Sequence, residues 1–200
     1  MKSNYIILFV FIICSFSFSQ EKDDLFNMIE QEEKKIELLP EKMIFTQSLL
    51  WGKKGLFRKT GISPLNLENR QKELKIRKTM LTTHQAIGYL TLASMIAQGI
   101  IGGKLYNGDE SLRSTHNTMG KVVNIGYFTG AGLSLFSPPP LINKKVKGFN
   151  SIKAHKILAT VHFSAMIATN YYKDKNKSNH KAAAYTAFAS YATAVLVIKF

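Results

Sequence analysis

From Thr79 to Gly103 the chain runs for 25 residues without an Asp, Glu, Lys or Arg. About 20 apolar residues suffice for a helix to cross the hydrocarbon core of a bilayer, so this stretch narrows the available folds more than any other feature. Val122–Asn143 adds 22 uncharged residues and closes on the helix-stopping SPPP at 137–140. Ile157–Tyr172 and Ala182–Ile198 add 16 and 17 more; each is short alone and is extended by the histidine-bearing turn before it. The loops near 104–113, 141–152 and 173–179 are short, so consecutive helices should be antiparallel. The expected fold is all-α: a four-helix transmembrane up-and-down bundle over 79–200, preceded by a signal peptide over 1–19 and a polar helical segment over 20–78.

The opening residues support that division. Lys2, the apolar run Tyr5–Cys14 and Ser17-Phe18-Ser19 ahead of Gln20 have the layout of a secretory signal. Ile13 stands where a lipoprotein signal needs a small residue, so Cys14 should leave with the signal and the mature chain should form no disulfide. The ending FSFSQ resembles signals of Bacteroidetes-type bacteria, which makes a bacterial inner (cytoplasmic) membrane the expected multi-pass location, with the N-terminal segment periplasmic. That orientation puts Arg70, Lys72, Lys75, Arg77 and Lys78 on the side that the positive-inside tendency disfavours. The alternative is an uncleaved N-terminal anchor, which would place them in the cytoplasm; it is short for a span and is followed by acidic residues.

A formal charge of +14 and a pI near 9.8 raise the question of nucleic acid. Export and the position of the basic residues beside long uncharged stretches argue instead for a lipid bilayer as partner, and no nucleic acid is expected. Mean hydropathy is only −0.04 because the polar N-terminal third dilutes the average. Within that third, MIFTQSLLWGKKGLFRK suits an interfacial helix or lid, or equally a solvated amphipathic helix packed on its neighbour. GISP reads as a turn, and NLENRQKELKIRK follows as a polar run.

The chain has five histidines. His84, His116, His155 and His180 fall one to each expected span, within its first turn or so. Imidazole inside a bilayer is costly and points to function. Four residues after each comes a small residue, Gly88, Gly120, Ala159 or Ala184, leaving room for a flat bulky group near the backbone. Met-Ile-Ala recurs at 95–97 and 166–168, and Tyr-x-Thr at 127–129 and 191–193. The first span thus matches the third and the second matches the fourth, an internal duplication with offsets of 71 and 64 residues. The shared Met and Tyr positions read best as ordinary core or lipid-facing residues.

In an up-and-down bundle His84 and His155 meet near one face, and His116 and His180 near the other. Two opposed imidazoles suit the axial positions of haem b, so two haems are expected. Zinc would call for sulfur or carboxylate ligands, and the spans hold no Cys, Asp or Glu. Arg113, Lys121, Lys153, Lys156 and Lys181 lie close enough in sequence to pair with propionates. His162, seven residues beyond His155, aligns with Thr91 in the repeat and reads as a supporting or packing residue, with His155 as the ligand. Ser94, Ser134 and Ser164 have no acid nearby in sequence, which argues against a hydrolase.

With these four H-x-x-x-[GA] settings in order, Thr79–Phe200 resembles the cytochrome b561 superfamily, a four-helix bis-histidine haem b membrane domain in which alternate helices share a haem. The resemblance covers about three-fifths of the chain and implies electron transfer across or along the membrane, possible oxidoreductase activity, and an electron donor and acceptor such as a quinol, a small reductant or a redox protein. Spans three and four are short for the family, and residues 20–78 match no part of it. The rival expectation is a non-redox membrane scaffold whose N-terminal segment recruits a partner.

Overall fold

The computed structural model describes residues 37–141 and 150–198. The expected signal peptide, the acidic stretch up to Ile36 and residues 142–149 lie outside the described residues. Glu37–Ile198 forms one compact unit, and its regular structure is all-α: α1 (Phe45–Trp51), α2 (Leu56–Lys59), α3 (Leu67–Tyr106), a short 3-10 turn (Glu110–Leu112), α4 (Arg113–Leu135), α5 (Ser151–Tyr172) and α6 (Lys177–Val197).

Three of the four long helices begin at an asparagine. The side chains of Asn66, Asn150 and Asn176 accept the backbone N–H groups of Asn69, Lys153 and Asn179, satisfying donors that a helix start leaves open. No Gly or Pro interrupts Leu67–Ile87. The polar run 66–78 and the uncharged stretch after it therefore form a single 40-residue helix. The expected boundary at 78/79 is a change of composition inside α3, not a break in the backbone. The helix stops at Asn107-Gly108, where Gly108 takes φ 106°, a conformation that favours glycine.

Hydrogen bonds fix the antiparallel order. His84 midway along α3 bonds Gly130 near the end of α4, and Gln98 late in α3 bonds His116 early in α4. The α5–α6 hairpin repeats this with His155 to Ala194 and His180 to Thr169. Between hairpins, Tyr127 of α4 meets His162 of α5, and Tyr191 of α6 donates to Gly88 O of α3. The central core joins Met95, Val123, Tyr127, Ala165, Met166 and Ala187, with Phe188 and Tyr191 packed on it. Met95/Met166, Val123/Ala187 and Tyr127/Tyr191 are equivalent positions of the duplication, so the repeated unit builds the core from both sides.

The outside of the bundle is apolar. Leu90 and Ile125 are each 70% exposed and Leu196 is 79% exposed, in company with Ile100, Ile157 and Ile167. Among the described residues, however, one helix alone, α3, is long and apolar enough to cross a membrane by length and composition. The expectation of four such spans is corrected to that extent: α4 is diluted by Arg, Asn, Gly, Ser and Thr, α5 by Lys, His and Asn, and α6 by Lys, Asn, His, Ser and Thr.

The described part of the N-terminal segment, expected as an interfacial helix or lid or as an amphipathic helix packed on its neighbour, holds two short helices. It breaks into α1 and α2 and seats on the end of α4. The SPPP run has no N–H to extend the helix through its prolines, and its carbonyls are bound by side chains from elsewhere. Thr46 Oγ1 donates to Leu135 O at 2.5 Å, Trp51 Nε1 to Phe136 O at 3.0 Å, Arg70 Nη2 to Pro139 O at 3.1 Å and Arg77 Nη1 to Pro138 O at 2.6 Å. Beneath them Glu73, 1% exposed, is held by Arg58, Arg70 and Ser63. Burial alone would raise the Glu73 carboxyl, but the hydrogen bonds from Arg58, Ser63 and Arg70 and the Arg58 charge outweigh it and hold the group below its ordinary value of 4.5.

Candidate functional site

The four histidines one to a long helix all point inward, half-buried, and they meet in two pairs across the bundle's diagonals. His84 of α3 and His155 of α5 have ring centroids 6.5 Å apart. His116 of α4 and His180 of α6 have theirs 6.2 Å apart. Along α3, His84 and Gln98 are 14 residues apart and Gln98 contacts His116, so the pairs are separated by ~20 Å at 1.5 Å rise per residue.

Three of the imidazoles are oriented in the same way. His84 Nδ1 lies 2.9 Å from Gly130 O, His155 Nδ1 3.0 Å from Ala194 O and His180 Nδ1 2.9 Å from Thr169 O. A carbonyl can only accept, so each Nδ1 carries the proton, and in the neutral ring Nε2 keeps the lone pair that a metal would use. Gly130 and Ala194 are themselves equivalent positions of the duplication. Each hairpin thus aims one imidazole with a carbonyl of its own second helix.

His116 breaks the pattern. Its Nδ1 is buried without a partner, as is Gln98 Oε1. Gln98 Nε2 donates to His116 O at 3.0 Å and lies 3.4 Å from His116 Nε2. Thr169, whose carbonyl serves His180, is the repeat counterpart of Gln98; at this site a side-chain amide intrudes where the other hairpin offers only backbone.

His162 lies between the two pairs and belongs to neither. Tyr127 Oη and His162 Nδ1 hydrogen-bond at 2.5 Å, and the Tyr191 ring is 5.1 Å from the imidazole. These two tyrosines therefore surround the imidazole as well as filling the core.

A Cβ on Gly88 would meet Tyr191 Oη at 3.6 Å and one on Gly120 would meet Gln98 Nε2 at 3.2 Å; both glycines face side chains of another helix. Ala159 and Ala184 are half-buried. The glycines beside the imidazoles are Gly102, where a Cβ would come within 2.9 Å of His116 Cε1, and Gly130, at 3.8 Å from His84 Nδ1. Sequence reading missed them because it searched along each helix. Positions about equidistant from the Asn107–Asp109 turn face each other in an antiparallel hairpin, and that count lands two residues from each of them.

Arg113 is engaged by Glu110 at 2.5 Å on the surface, and Lys181 lies 3.8 Å over the Tyr106 ring. Lys121, Lys153 and Lys156 are exposed. Comparisons with protein-family models, curated proteins and solved structures find no match for this chain.

Proposed function

We propose that this chain is a membrane b-type cytochrome of the kind its histidine pattern resembles, carrying electrons through two bis-histidine haem sites. The observation that carries the reading is the pairing itself. A histidine nitrogen sits about 2 Å from a bound first-row metal, so two imidazoles trans across one iron place their centroids roughly 6 Å apart. The separations of 6.5 and 6.2 Å fit that span. The carbonyl bonds at Nδ1 leave three of the four Nε2 atoms free to face inward. Among the described residues no group of three or more His, Cys, Asp or Glu gathers at one point, so these pairs suit a metal whose other ligands come with a macrocycle.

When bound, haem b supplies a one-electron Fe(III)/Fe(II) couple. The chain's own residues hold the ring planes, exclude water with the Met95–Met166 core, and place polar His162 and Tyr127 between the sites. Lipid as the surrounding medium is supported by the apolar exterior, since a helix apolar on every side is either buried in protein or spans a membrane. On this reading α4, α5 and α6 cross with α3. With signal cleavage, the His84–His155 site lies toward the periplasmic face of a bacterial inner membrane, and a quinol, small reductant or redox protein supplies or takes the electron.

The test is a dithionite-reduced minus oxidised spectrum of membranes containing the full chain. A low-spin haem b α band is expected, with one population abolished by His84→Ala and the other by His116→Ala. Folded protein without Soret absorbance after haem-sufficient growth would overturn the proposal in favour of a non-redox scaffold.

A further inference from the structure

Arg70, Arg77, His84, Thr91 and Gln98 follow one another on α3 at intervals of seven. Seven residues advance a helix by ~10 Å and rotate it by only ~20°, so the five share a face. That face is the inner one: Arg70 and Thr91 are buried, and His84 and Gln98 reach α4. Arg77 accordingly stands two turns outward from His84 in line with its imidazole, beside the Arg58–Glu73–Arg70 cluster.

Among the described residues the charges of this end do not balance. Arg58 and Arg70 share one carboxylate, Glu73. Arg77 spends a single nitrogen, Nη1, on neutral acceptors, Pro138 O at 2.6 Å and Ser137 Oγ at 3.2 Å. Three guanidiniums therefore face one carboxylate, in a half-buried place next to an uncharged stretch where a lone cation is costly. The two bonds hold the Arg77 fork in position, and a planar fork is suited to two carboxylate oxygens.

We propose that Arg77 is a carboxylate-binding residue and that its ligand is a propionate of the haem held between His84 and His155. The inference rests on the haem reading above. The step from His84 to Arg77 matches the reach of a propionate arm directed along the bundle axis toward this end. The corresponding positions seven residues before His116 and His180 are Asp109 and Lys173, both exposed, and Lys173 pairs with Asp174, so neither offers a half-buried guanidinium.

The test uses the full chain purified in detergent, stripped of haem and reloaded with either haem b or its dimethyl ester, which lacks both carboxylates. Arg77→Gln should weaken retention of the first-site haem b by roughly tenfold, the scale of one charge-assisted contact, and shift its midpoint potential downward through loss of a positive charge. With the ester, wild type and Arg77→Gln should retain the porphyrin equally. Arg77→Lys should recover part of the potential shift, and it carries the same ester comparison if Arg77→Gln does not fold. Equal losses with haem b and the ester would show a merely structural arginine; no loss with either would show that no propionate binds there. Wild type that takes up no haem at all would instead overturn the function proposed above.

Discussion

The two ends of the bundle hold equivalent histidine pairs in unequal surroundings. At the His84–His155 end both imidazoles are tied at Nδ1 to carbonyls, and the N-terminal segment lays a buried ionic cluster over the end of α4. At the His116–His180 end one imidazole is tied and the other is not, and the nearest ion pair, Arg113–Glu110, has both side chains more than half exposed. The duplication supplies the imidazoles and backbone acceptors; the ionic cluster was added from outside the repeat, and the untied His116 goes with Gln98 within it. The comparison teaches that the first end is built as a fixed, dry socket, while the second is held by the hairpins alone.

The largest effects should follow from the histidines. His155→Ala should remove the haem proposed between it and His84 completely, leaving the absorbance of the His116–His180 site. His162→Ala should leave both in place and move their potentials only modestly, since His162 bonds Tyr127 and faces neither pair as a partner. Side-by-side redox titration decides this; haem loss in His162→Ala with retention in His155→Ala would move the site to the middle of the bundle.

Next comes the ionic cluster. Glu73→Gln leaves Arg58 and Arg70 buried against a neutral amide, and breaking a buried pair in this way costs ~3–5 kcal/mol. Glu110→Gln, at the exposed Arg113 pair, should cost under ~1 kcal/mol. Thermal unfolding in detergent compares the two; equal shifts would erase the distinction between the ends. Acid should act on the same cluster. The Glu73 carboxyl is lower in the folded chain than its ordinary 4.5, so its stabilisation is fully present above that value and is lost as pH falls through the depressed one. Stability should therefore decline below about pH 4.5, and Glu73→Gln should flatten that decline; an unchanged pH profile in the variant would assign acid sensitivity elsewhere.

The four long helices and the pairing of histidines were legible because they depend on local signals: uncharged length, short loops and a duplication in register. The seating of the N-terminal segment was not. It consists of side chains finding carbonyls 61 to 89 positions away, and such contacts leave no periodicity. Arg70 and Arg77 were visible on the heptad stripe of His84, but charges in a polar run read as solvent-facing until the carbonyls of SPPP are known to lie against them. The amide of Gln98 beside His116 depends on a side-chain rotamer, which spacing does not specify.

That amide gives the smallest and most discriminating prediction. His116 Nδ1 and Gln98 Oε1 are both buried without partners, and each such group costs about 1–3 kcal/mol, so the arrangement is held under tension. The other hairpin shows the relaxed form: His180 Nδ1 donates to the carbonyl of Thr169, which is the counterpart of Gln98. For His116 to present Nε2 to an iron, the Gln98 side chain, 3.4 Å from that atom, has to withdraw. Gln98→Ala removes the obstruction and leaves the backbone carbonyl free to take the Nδ1 proton. It should strengthen retention of the second-site haem by roughly tenfold, equivalent to about 1.4 kcal/mol, without altering the first. Stepwise haem titration of the purified protein reads both sites at once. A weakened second site would mean that the Gln98–His116 carbonyl bond positions the imidazole rather than blocking it, and the looser end would then owe its character to its exposed surroundings alone.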